Sequence, residues 1–254
     1  MSALHLDSDW IVPQWPAPAG IRALCTTRSG GVSSGVYASL NLGDHVGDDP
    51  ADVAVNRSRL ATATGVRPVF LQQVHGTHLV ELDGHSSDGL QADACGTSQA
   101  GLACTVMVAD CMPVLFTDRN GERVAAAHAG WRGLAAGVLA RTVESFDMAD
   151  RTHLMAWLGP CIGPMSFEVG PEVKAEFEAQ EAKATRFFSR APQPGKWLAN
   201  LPALARLQLQ GLGVHEVHGN DGSGAWCTVS NPSRFFSHRR DRVSGRFAAL
   251  IWRG

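Results

Sequence analysis

Residues 102–146 constrain the fold more than any other stretch of the chain. Two apolar segments meet at a tight corner, residues 109–113 (ADCMP), and a turn at residues 118–121 leads into a third apolar segment and an amphipathic pattern. This spacing predicts three strands followed by a helix. Cys111 and His128, two potential metal ligands, fall where predicted strands end. Neither position is typical of a packing residue.

Flanking stretches add further elements. Helices are predicted at residues 50–64, 171–182 and 201–212, and strands at residues 69–76, 214–217 and 246–252. Glycine and proline at residues 159–164 (GPCIGP) predict a rigid loop suited to a site wall, and residues 187–196 are predicted as loop. A chain of 254 residues without a break in composition fits one large domain or two small ones.

The charge and the chain's opening residues restrict the function class. A formal net charge of -2 gives no electrostatic footprint for nucleic acid or an anionic membrane, which favours a small-molecule ligand. Residues 1–10 lack the basic and apolar regions of a signal peptide, and no stretch approaches about 18 apolar residues. The sequence therefore predicts a cytoplasmic chain. Its six cysteines include no C-x-x-C pair, and most of them are predicted to be reduced, buried and structural.

A third potential ligand, His75, ends the strand predicted at residues 69–76. A lone histidine there is more often structural, but two histidines and one cysteine would leave a fourth tetrahedral position open for chemistry. A fourth protein ligand, His78 or Cys161, would instead close a structural zinc site in a non-enzymatic interaction protein. Asp93, in the turn-rich approach to the central strands, is either buried and paired or solvated.

Two arginine-bearing segments are candidates for binding an anion. Arg28 and Asn41 flank a glycine turn that could present a side chain to an anion or a base edge, or form an ordinary surface loop. Residues 235–242 (FFSHRRDR) place arginines beside two phenylalanines, which suits clamping phosphate and stacking a base. The same arginines could equally form a solvated face paired with Asp241.

Several motifs carry a family resemblance from about residue 20 to the C-terminus. They resemble those of the family known variously as YfiH-like proteins, laccase-domain polyphenol oxidases and LACC-type purine nucleoside phosphorylases. The motifs are residues 27–33 (TRSGGVS), 39–43 (SLNLG), 73–76 (QVHG), 109–113 (ADCMP), 127–133 (AHAGWRG), 159–163 (GPCIG) and 235–241 (FFSHRRD).

The resemblance implies an α/β fold, a single YfiH-like domain over residues 1–254 in which helices flank packed mixed β-sheets in α/β/β/α layers. It implies Zn²⁺ held by His75, Cys111 and His128. It also implies phosphorolysis of adenosine, inosine and methylthioadenosine to free base and ribose 1-phosphate, with adenosine deamination in the same site. Two positions depart from the family pattern: Phe167 stands where a tyrosine is expected, and Asn200 where an aspartate is usual.

Residue roles follow from that reading. Cys111, His128, Asp110 and Arg28 are the predicted catalytic residues; Asp110, next to Cys111, is the candidate for moving the proton in deamination. The predicted substrate-binding residues are Arg28, Asn41, Gln73, Arg239 and Arg240. Phosphate is assigned to Arg28 or to an arginine of residues 239–242, and the glycine-rich entry to the helix after His128 offers further backbone donors.

Other reactions remain open. The ten histidines include no H-x-H pair, which speaks against a multi-copper oxidase, although copper replacing zinc could give a side oxidase activity. Cys111 could be a nucleophile with His128 as its base, in a cysteine hydrolase. A zinc amidase editing a cell-wall precursor such as a UDP-MurNAc-amino acid is the third alternative. The expected partners are a purine nucleoside and phosphate, with the chain a monomer or homodimer.

Overall fold

The computed structural model describes residues 9–147 and 153–254. Most of the opening segment, where the sequence showed no signal-peptide pattern, lies outside the described residues. Across the described ranges, no helix combines the length and the apolarity that a membrane crossing requires. All six cysteines are free thiols.

The described chain forms strands and helices in a mixed order. The strands are β1 (Ile21–Cys25), β2 (Arg67–Phe70), β3 (Leu79–Glu81), β4 (Ala94–Thr97), β5 (Leu102–Val108), β6 (Met112–Thr117), β7 (Val124–Ala129), β8 (Met155–Leu158), β9 (Glu168–Val169), β10 (Phe188–Arg190), β11 (Trp197–Ala199), β12 (Glu216–Gly219) and β13 (Phe247–Arg253). The helices are α1 (Pro50–Thr64), α2 (Trp131–Ala136), α3 (Val138–Glu144), α4 (Pro171–Gln180), α5 (Leu201–Gly211) and α6 (His238–Asp241).

These strands form three sheets. A four-stranded sheet has the order β1-β13-β5-β2, a six-stranded sheet the order β12-β8-β6-β7-β4-β3, and a small sheet the order β10-β11-β9. The two large sheets are mixed: β2 runs parallel to β5, and β8 parallel to β12, while β13 is antiparallel to both β1 and β5. The mixed β-sheets expected from the resemblance are therefore confirmed.

The layering can be seen along β13, where successive side chains point to opposite faces. Phe247, Ala249 and Ile251 join the core between the two large sheets, with residues of β6 and β7 opposite them. Ala248 and Leu250 face the other way, toward α1. A third core lies between the six-stranded sheet and the helices that include α3 and α5. The order α/β/β/α is thus confirmed.

The end signals of helices were readable in the sequence, but some internal breaks were not. The helix predicted at residues 50–64 forms, begun by Asp49, whose carboxylate accepts from the backbone N of Ala51, and ended at Gly65 with φ 69°. The prediction of a single helix after the third strand is wrong, because two helices form there. Gly137, with φ 97°, ends α2 and begins α3, since this left-handed conformation interrupts a helix.

The strand boundaries differ from the predicted ones more than the helix boundaries do. The strand predicted over residues 69–76 ends at Phe70, so His75 lies in an irregular loop rather than at a strand end. The strand predicted at residues 214–217 is displaced toward the C-terminus as β12. Residues 187–196, predicted as loop, include β10, which pairs with β11 in the small sheet. Tertiary pairing decides such short strands, because local preference is weak there.

Candidate active site

Three potential metal ligands meet beside the corner between β5 and β6. The antiparallel register of β6 and β7 sets Met112 opposite Ala129, which brings Cys111 close to His128. His75 reaches them from the loop after β2. The ligand atoms of the three side chains all lie within 4.8 Å of one another, and Cys111 Sγ is 3.7 Å from His75 Nε2. Residues far apart in the chain therefore form one compact group.

Asp93 holds two of these ligands in place. Its Oδ1 accepts from Nδ1 of His128 and from the backbone N of His75, each at 2.8 Å. Its Oδ2 accepts from the backbone N of Gly76 at 2.7 Å and of Val74 at 3.2 Å. Because Nδ1 of His128 donates to a carboxylate, Nε2 is the nitrogen free for a metal. These bonds also fix His75, whose φ of 62° is unusual for a residue other than glycine.

Asp110 and Gly130 shape the surroundings of Cys111. Asp110 has φ 91°, and its two carboxylate oxygens accept from Thr228 Oγ1 at 2.5 Å and from the backbone N of Arg239 at 2.6 Å. A Cβ at Gly130 would lie only 2.7 Å from Cys111 Sγ, so a larger residue there would displace the thiol. Hydrogen bonds to Asp110 thus fix the corner predicted from the sequence. The absence of a side chain at Gly130 leaves room for the Cys111 thiol.

The electrostatics of the group favour a thiolate. Burial alone would raise the pKa of the Cys111 thiol, but the charge of His128 and hydrogen bonds from both histidines lower that pKa to about 6. Burial alone would lower the pKa of His128, whereas the Cys111 thiolate and the Asp93 carboxylate raise it to about 9. A sulfur ligand must be deprotonated to bind a metal, so the site supplies the required form at neutral pH.

This donor set fits a transition-metal ion. One thiolate and two imidazole nitrogens match the ligands that zinc and copper prefer, and three protein ligands leave one tetrahedral position open. Neither His78 nor Cys161 joins the group, and within residues 9–147 and 153–254 no further group of His, Cys, Asp or Glu of this kind occurs. The described residues therefore provide an open site rather than a closed structural one.

A pocket of about 440 Å³ opens in front of the three ligands. One part of its lining is apolar, contributed by Trp131, Ile162, Phe167 and Leu201; another part is cationic, contributed by Arg132, Arg239 and Arg246. A lining with both apolar and positively charged side chains suits a ligand that has both a flat ring and an anionic group.

Comparison with known proteins decides the family. Residues 22–254 match the family described as multi-copper polyphenol oxidoreductase laccase. The chain belongs to this laccase-like family. It is 52% identical over 243 residues to the purine nucleoside phosphorylase PA4543 of Pseudomonas aeruginosa, and the match covers 96% of this chain and 98% of that protein. It is 49% identical over 248 residues to the purine nucleoside phosphorylase YfiH of Escherichia coli, covering 96% and 99% of the two chains.

Solved structures of laccase-like relatives share the whole fold. The Neisseria meningitidis protein NMB0706 superposes with a TM-score of 0.91 at 46% identity, over 97% of this chain and 99% of that one. YlmD from Geobacillus stearothermophilus superposes with a TM-score of 0.88 at 31% identity, over 98% of each chain. Together with the names of the relatives, these likenesses support an enzyme.

The laccase-like family name does not describe a copper cluster in this chain. A multi-copper centre needs several groups of histidine ligands, whereas the parts of the chain that the structure describes contain one group of three side chains that could hold a metal. The absence of H-x-H pairs from the sequence agrees with this geometry. The residues fit a single ion.

The pocket includes two of the predicted substrate-binding residues. Gln73 lines the pocket, but its side-chain amide is hydrogen-bonded to Met107. Its Oε1 accepts from the backbone N of Met107 at 2.7 Å, and its Nε2 donates to the backbone O at 2.8 Å. Arg239 also lines it; its Nη1 donates to the backbone O of Glu168 at 3.0 Å, and its guanidinium lies 5.5 Å from the centre of the Phe167 ring. Gln73 thus positions β5, while Arg239 faces the cavity.

Three other predicted substrate-binding residues, Arg28, Arg240 and Asn41, do not line the pocket. Arg28 donates through Nε and Nη1 to the backbone O of Ala38 and Pro232, at 2.7 and 2.9 Å. The guanidinium of Arg240 is bonded to backbone oxygens, including that of Thr228, and to Asp241. Asn41 is fully buried. These polar groups are satisfied within the protein and hold loops together.

The sequence did not decide whether Asp93 is buried and paired or solvated. It also did not identify Arg246, Arg132 and Trp131 as pocket residues. The neighbours of Asp93, Ala92 and Ala94, are apolar and fully buried, and a carboxylate in such surroundings indicates a paired, buried group. The sequence showed the two alanines, but not that they are buried. Arg246 stands at the start of a predicted strand, and nothing in its neighbours distinguishes it from a surface arginine.

Proposed function

We propose that this protein is a zinc-dependent purine nucleoside phosphorylase. It would convert adenosine, inosine and methylthioadenosine to free base and ribose 1-phosphate, and deaminate adenosine in the same pocket. The observation that carries the proposal is the His75–Cys111–His128 group at a pocket whose lining includes aromatic side chains and arginines. Relatives named purine nucleoside phosphorylase, 49% and 52% identical to this chain, support it.

Zinc would be held by Nε2 of His75, Sγ of Cys111 and Nε2 of His128. When bound, it would supply Lewis acidity at the open coordination position. Asp93 would keep His128 in the correct tautomer through the Nδ1 bond, and would keep the His75 loop in place. Copper binds such nitrogen and sulfur ligands more strongly than zinc, so it could replace zinc and give the side oxidase activity.

For phosphorolysis, the pocket must bring phosphate to the ribose. The purine would pack against Trp131 and Phe167, and an arginine of the pocket lining would hold the phosphate beside C1′. A phosphate oxygen forms a bond to C1′ while the bond from C1′ to the purine nitrogen breaks. The electron pair leaves with the base, which takes a proton on a ring nitrogen. Fixed positive charge stabilises the attacking anion, and the pocket walls restrict competing water.

For deamination, water adds at C6 of adenosine and ammonia leaves. We propose that Asp110 moves the proton, since it lines the pocket and its carboxylate is held by Thr228 and by the backbone of Arg239. A carboxylate oxygen would accept the proton from the attacking water and return it to the leaving amine. The role of Asp110 stays a prediction.

Metal content and product analysis on the purified chain test the proposal. We expect one zinc per chain by plasma mass spectrometry, and adenine with ribose 1-phosphate from adenosine only when phosphate is present. Inosine should appear from adenosine without phosphate. A chain that holds zinc but converts no nucleoside contradicts the proposal and favours the cell-wall amidase.

The arrangement of Cys111 beside His128, with Asp93 hydrogen-bonded to that histidine, favours a cysteine hydrolase as the second candidate. A lowered thiol pKa, a histidine beside it and a carboxylate orienting that histidine are what a nucleophilic cysteine requires. Chelation separates the two functions. A phosphorylase that needs zinc loses activity with a chelator and regains it with added zinc, whereas a cysteine hydrolase keeps its activity and is inactivated by alkylation.

A further inference from the structure

We propose that Arg246 is the phosphate-binding residue of the pocket, and that Asn41 and Gly43 form the seat that holds it. This inference rests on the proposed phosphorylase function, for which an anion site is needed, and it assigns that site to an arginine outside both segments singled out by the sequence. It also gives residues 39–43 (SLNLG), which lie away from the pocket lining, a role in substrate binding.

The guanidinium of Arg246 is anchored on one side and free on the other. Its Nη1 donates to the backbone O of Ser244 at 2.9 Å and of Gly245 at 3.0 Å. Within the described parts of the chain, no group accepts from its Nε or Nη2, and the side chain lines the pocket. Nε–H and Nη2–H form one edge of the guanidinium, and that edge matches two oxygens of a phosphate.

The electrostatic position of Arg246 suits an anion. The residue is half-buried, so its charge is less screened by water than that of the exposed Arg132, whose guanidinium stacks on Trp131. Burial lowers the pKa of Arg246, against the charges of Cys111 and Asp110, which raise it. The side chain lines the same pocket as the three candidate metal ligands.

Asn41 and Gly43 contact Arg246 and are not part of the pocket lining. Asn41 Oδ1 accepts from the backbone N of Arg246 at 2.8 Å, and the backbone N of Leu42 donates to the backbone O of Arg246 at 3.0 Å. A Cβ at Gly43 would lie 2.8 Å from Cγ of Arg246, so only glycine lets the arginine stem pass. The seat fixes the direction of the side chain before any ligand arrives, which reduces the entropy lost on binding.

Arg239 provides a matched comparison. It too is half-buried, lines the pocket and donates through Nη1 to two backbone oxygens, those of Ser166 and Glu168. Its guanidinium, however, lies over the ring of Phe167 at 5.5 Å. This pair of flat groups forms a wall suited to a purine. We therefore assign Arg239 to the nucleoside and Arg246 to the phosphate.

The test compares Arg246→Gln with Arg239→Gln in the full zinc-loaded chain. Binding of inorganic phosphate alone is followed by ³¹P NMR titration, and KM is measured separately for phosphate and for adenosine. We expect Arg246→Gln to weaken phosphate binding and raise its KM by about 10- to 100-fold, the range for one charge-assisted pair. Arg239→Gln should raise KM for adenosine more than KM for phosphate. Arg141→Gln, at an exposed ion pair on α3, controls for loss of positive charge.

Several outcomes would overturn the assignment. It fails if wild-type protein does not bind inorganic phosphate, if Arg246→Gln binds it as wild type does, or if Arg239→Gln carries the phosphate effect instead. Should Arg246→Gln not fold, Arg246→Lys keeps the charge but loses the paired donors, and its phosphate affinity must still fall. Wild type that binds phosphate through Arg246 but cleaves no nucleoside would uphold the anion site and reject the phosphorylase.

Discussion

Cysteines in two regions of this protein differ in their chemistry. Cys25 and Cys104 lie between the two large sheets and are fully buried. Burial raises the pKa of both thiols well above the ordinary value, and for Cys104 the neighbouring Cys95 thiol adds to the increase. Cys111 lies at the edge of the same core, yet the charge and hydrogen bonds of two histidines lower its pKa to about 6. The groups next to a thiol, more than its burial, therefore decide whether its pKa allows a thiolate at neutral pH.

The same rule applies to carboxylates. Asp93 and Asp118 are both buried, and each accepts two or more backbone N–H groups. Only Asp93 also accepts from a side chain of the candidate metal group, whereas Asp118 orders the turn at the opposite end of β6 and β7. Similar burial therefore serves a site in one case and a turn in the other.

The largest effect is expected from replacing the thiolate. Cys111→Ala removes one of three metal ligands, so zinc affinity should fall by more than about 100-fold, and nucleoside cleavage should be lost with it. Metal content and product formation measure both. Circular dichroism should remain that of wild type, because the side chain lies at the pocket rather than in the packed core. A variant that keeps zinc but loses activity would give Cys111 the role of nucleophile.

A smaller effect is expected from Asp93→Asn, about a 10- to 100-fold loss of zinc affinity. An amide can accept with its oxygen only, so its NH₂ group would face backbone N–H donors that now bond to the carboxylate. The His75 loop should shift as a result. Competition with a chromogenic chelator measures the affinity.

Asp118→Asn is the matched control for that experiment. It also places an amide against two backbone N–H groups, those of Glu122 and Arg123, but far from the ligands. It should lower the melting temperature without changing zinc affinity. Equal loss of zinc in the two variants would show that Asp93 acts only through general stability.

The smallest effect on the site is expected from Cys104→Ala. The change leaves a small cavity between the sheets and should reduce the free energy of unfolding by about 1–2 kcal/mol, measured by urea denaturation. Zinc content and turnover should match those of wild type. A loss of metal in this variant would mean that the two thiol environments are coupled, and would break the comparison.

Much of the fold was readable because its signals are local. The helix at α1 has an aspartate cap and a terminal glycine, and the three strands around Cys111 are long apolar runs with a clear turn. The breaks at Gly137 and after Phe70 were missed. Both depend on how the segment packs against the rest of the protein, which no periodicity records.

The sequence predicted the candidate metal ligands of the site better than it predicted the arginines of the pocket. His75, Cys111 and His128 are side-chain types with few roles besides metal binding or catalysis when they occur together, and the structure groups them. Arginines bind anions, carbonyls and aromatic rings alike. The carbonyl that satisfies Arg28 belongs to Pro232, in a distant part of the chain, so the sequence could not show that this arginine was already occupied.

The central position of β13 also governs how the molecule folds. Its partners, β1 and β5, come from early and middle parts of the chain, so that Ile21 pairs with Arg253 and Val108 with Phe247. Pairings over such distances require large loops to close before the contacts can stabilise them, which slows folding. Arg246 directly precedes this strand. We therefore expect the proposed anion site to form only when β13 pairs with β1 and β5.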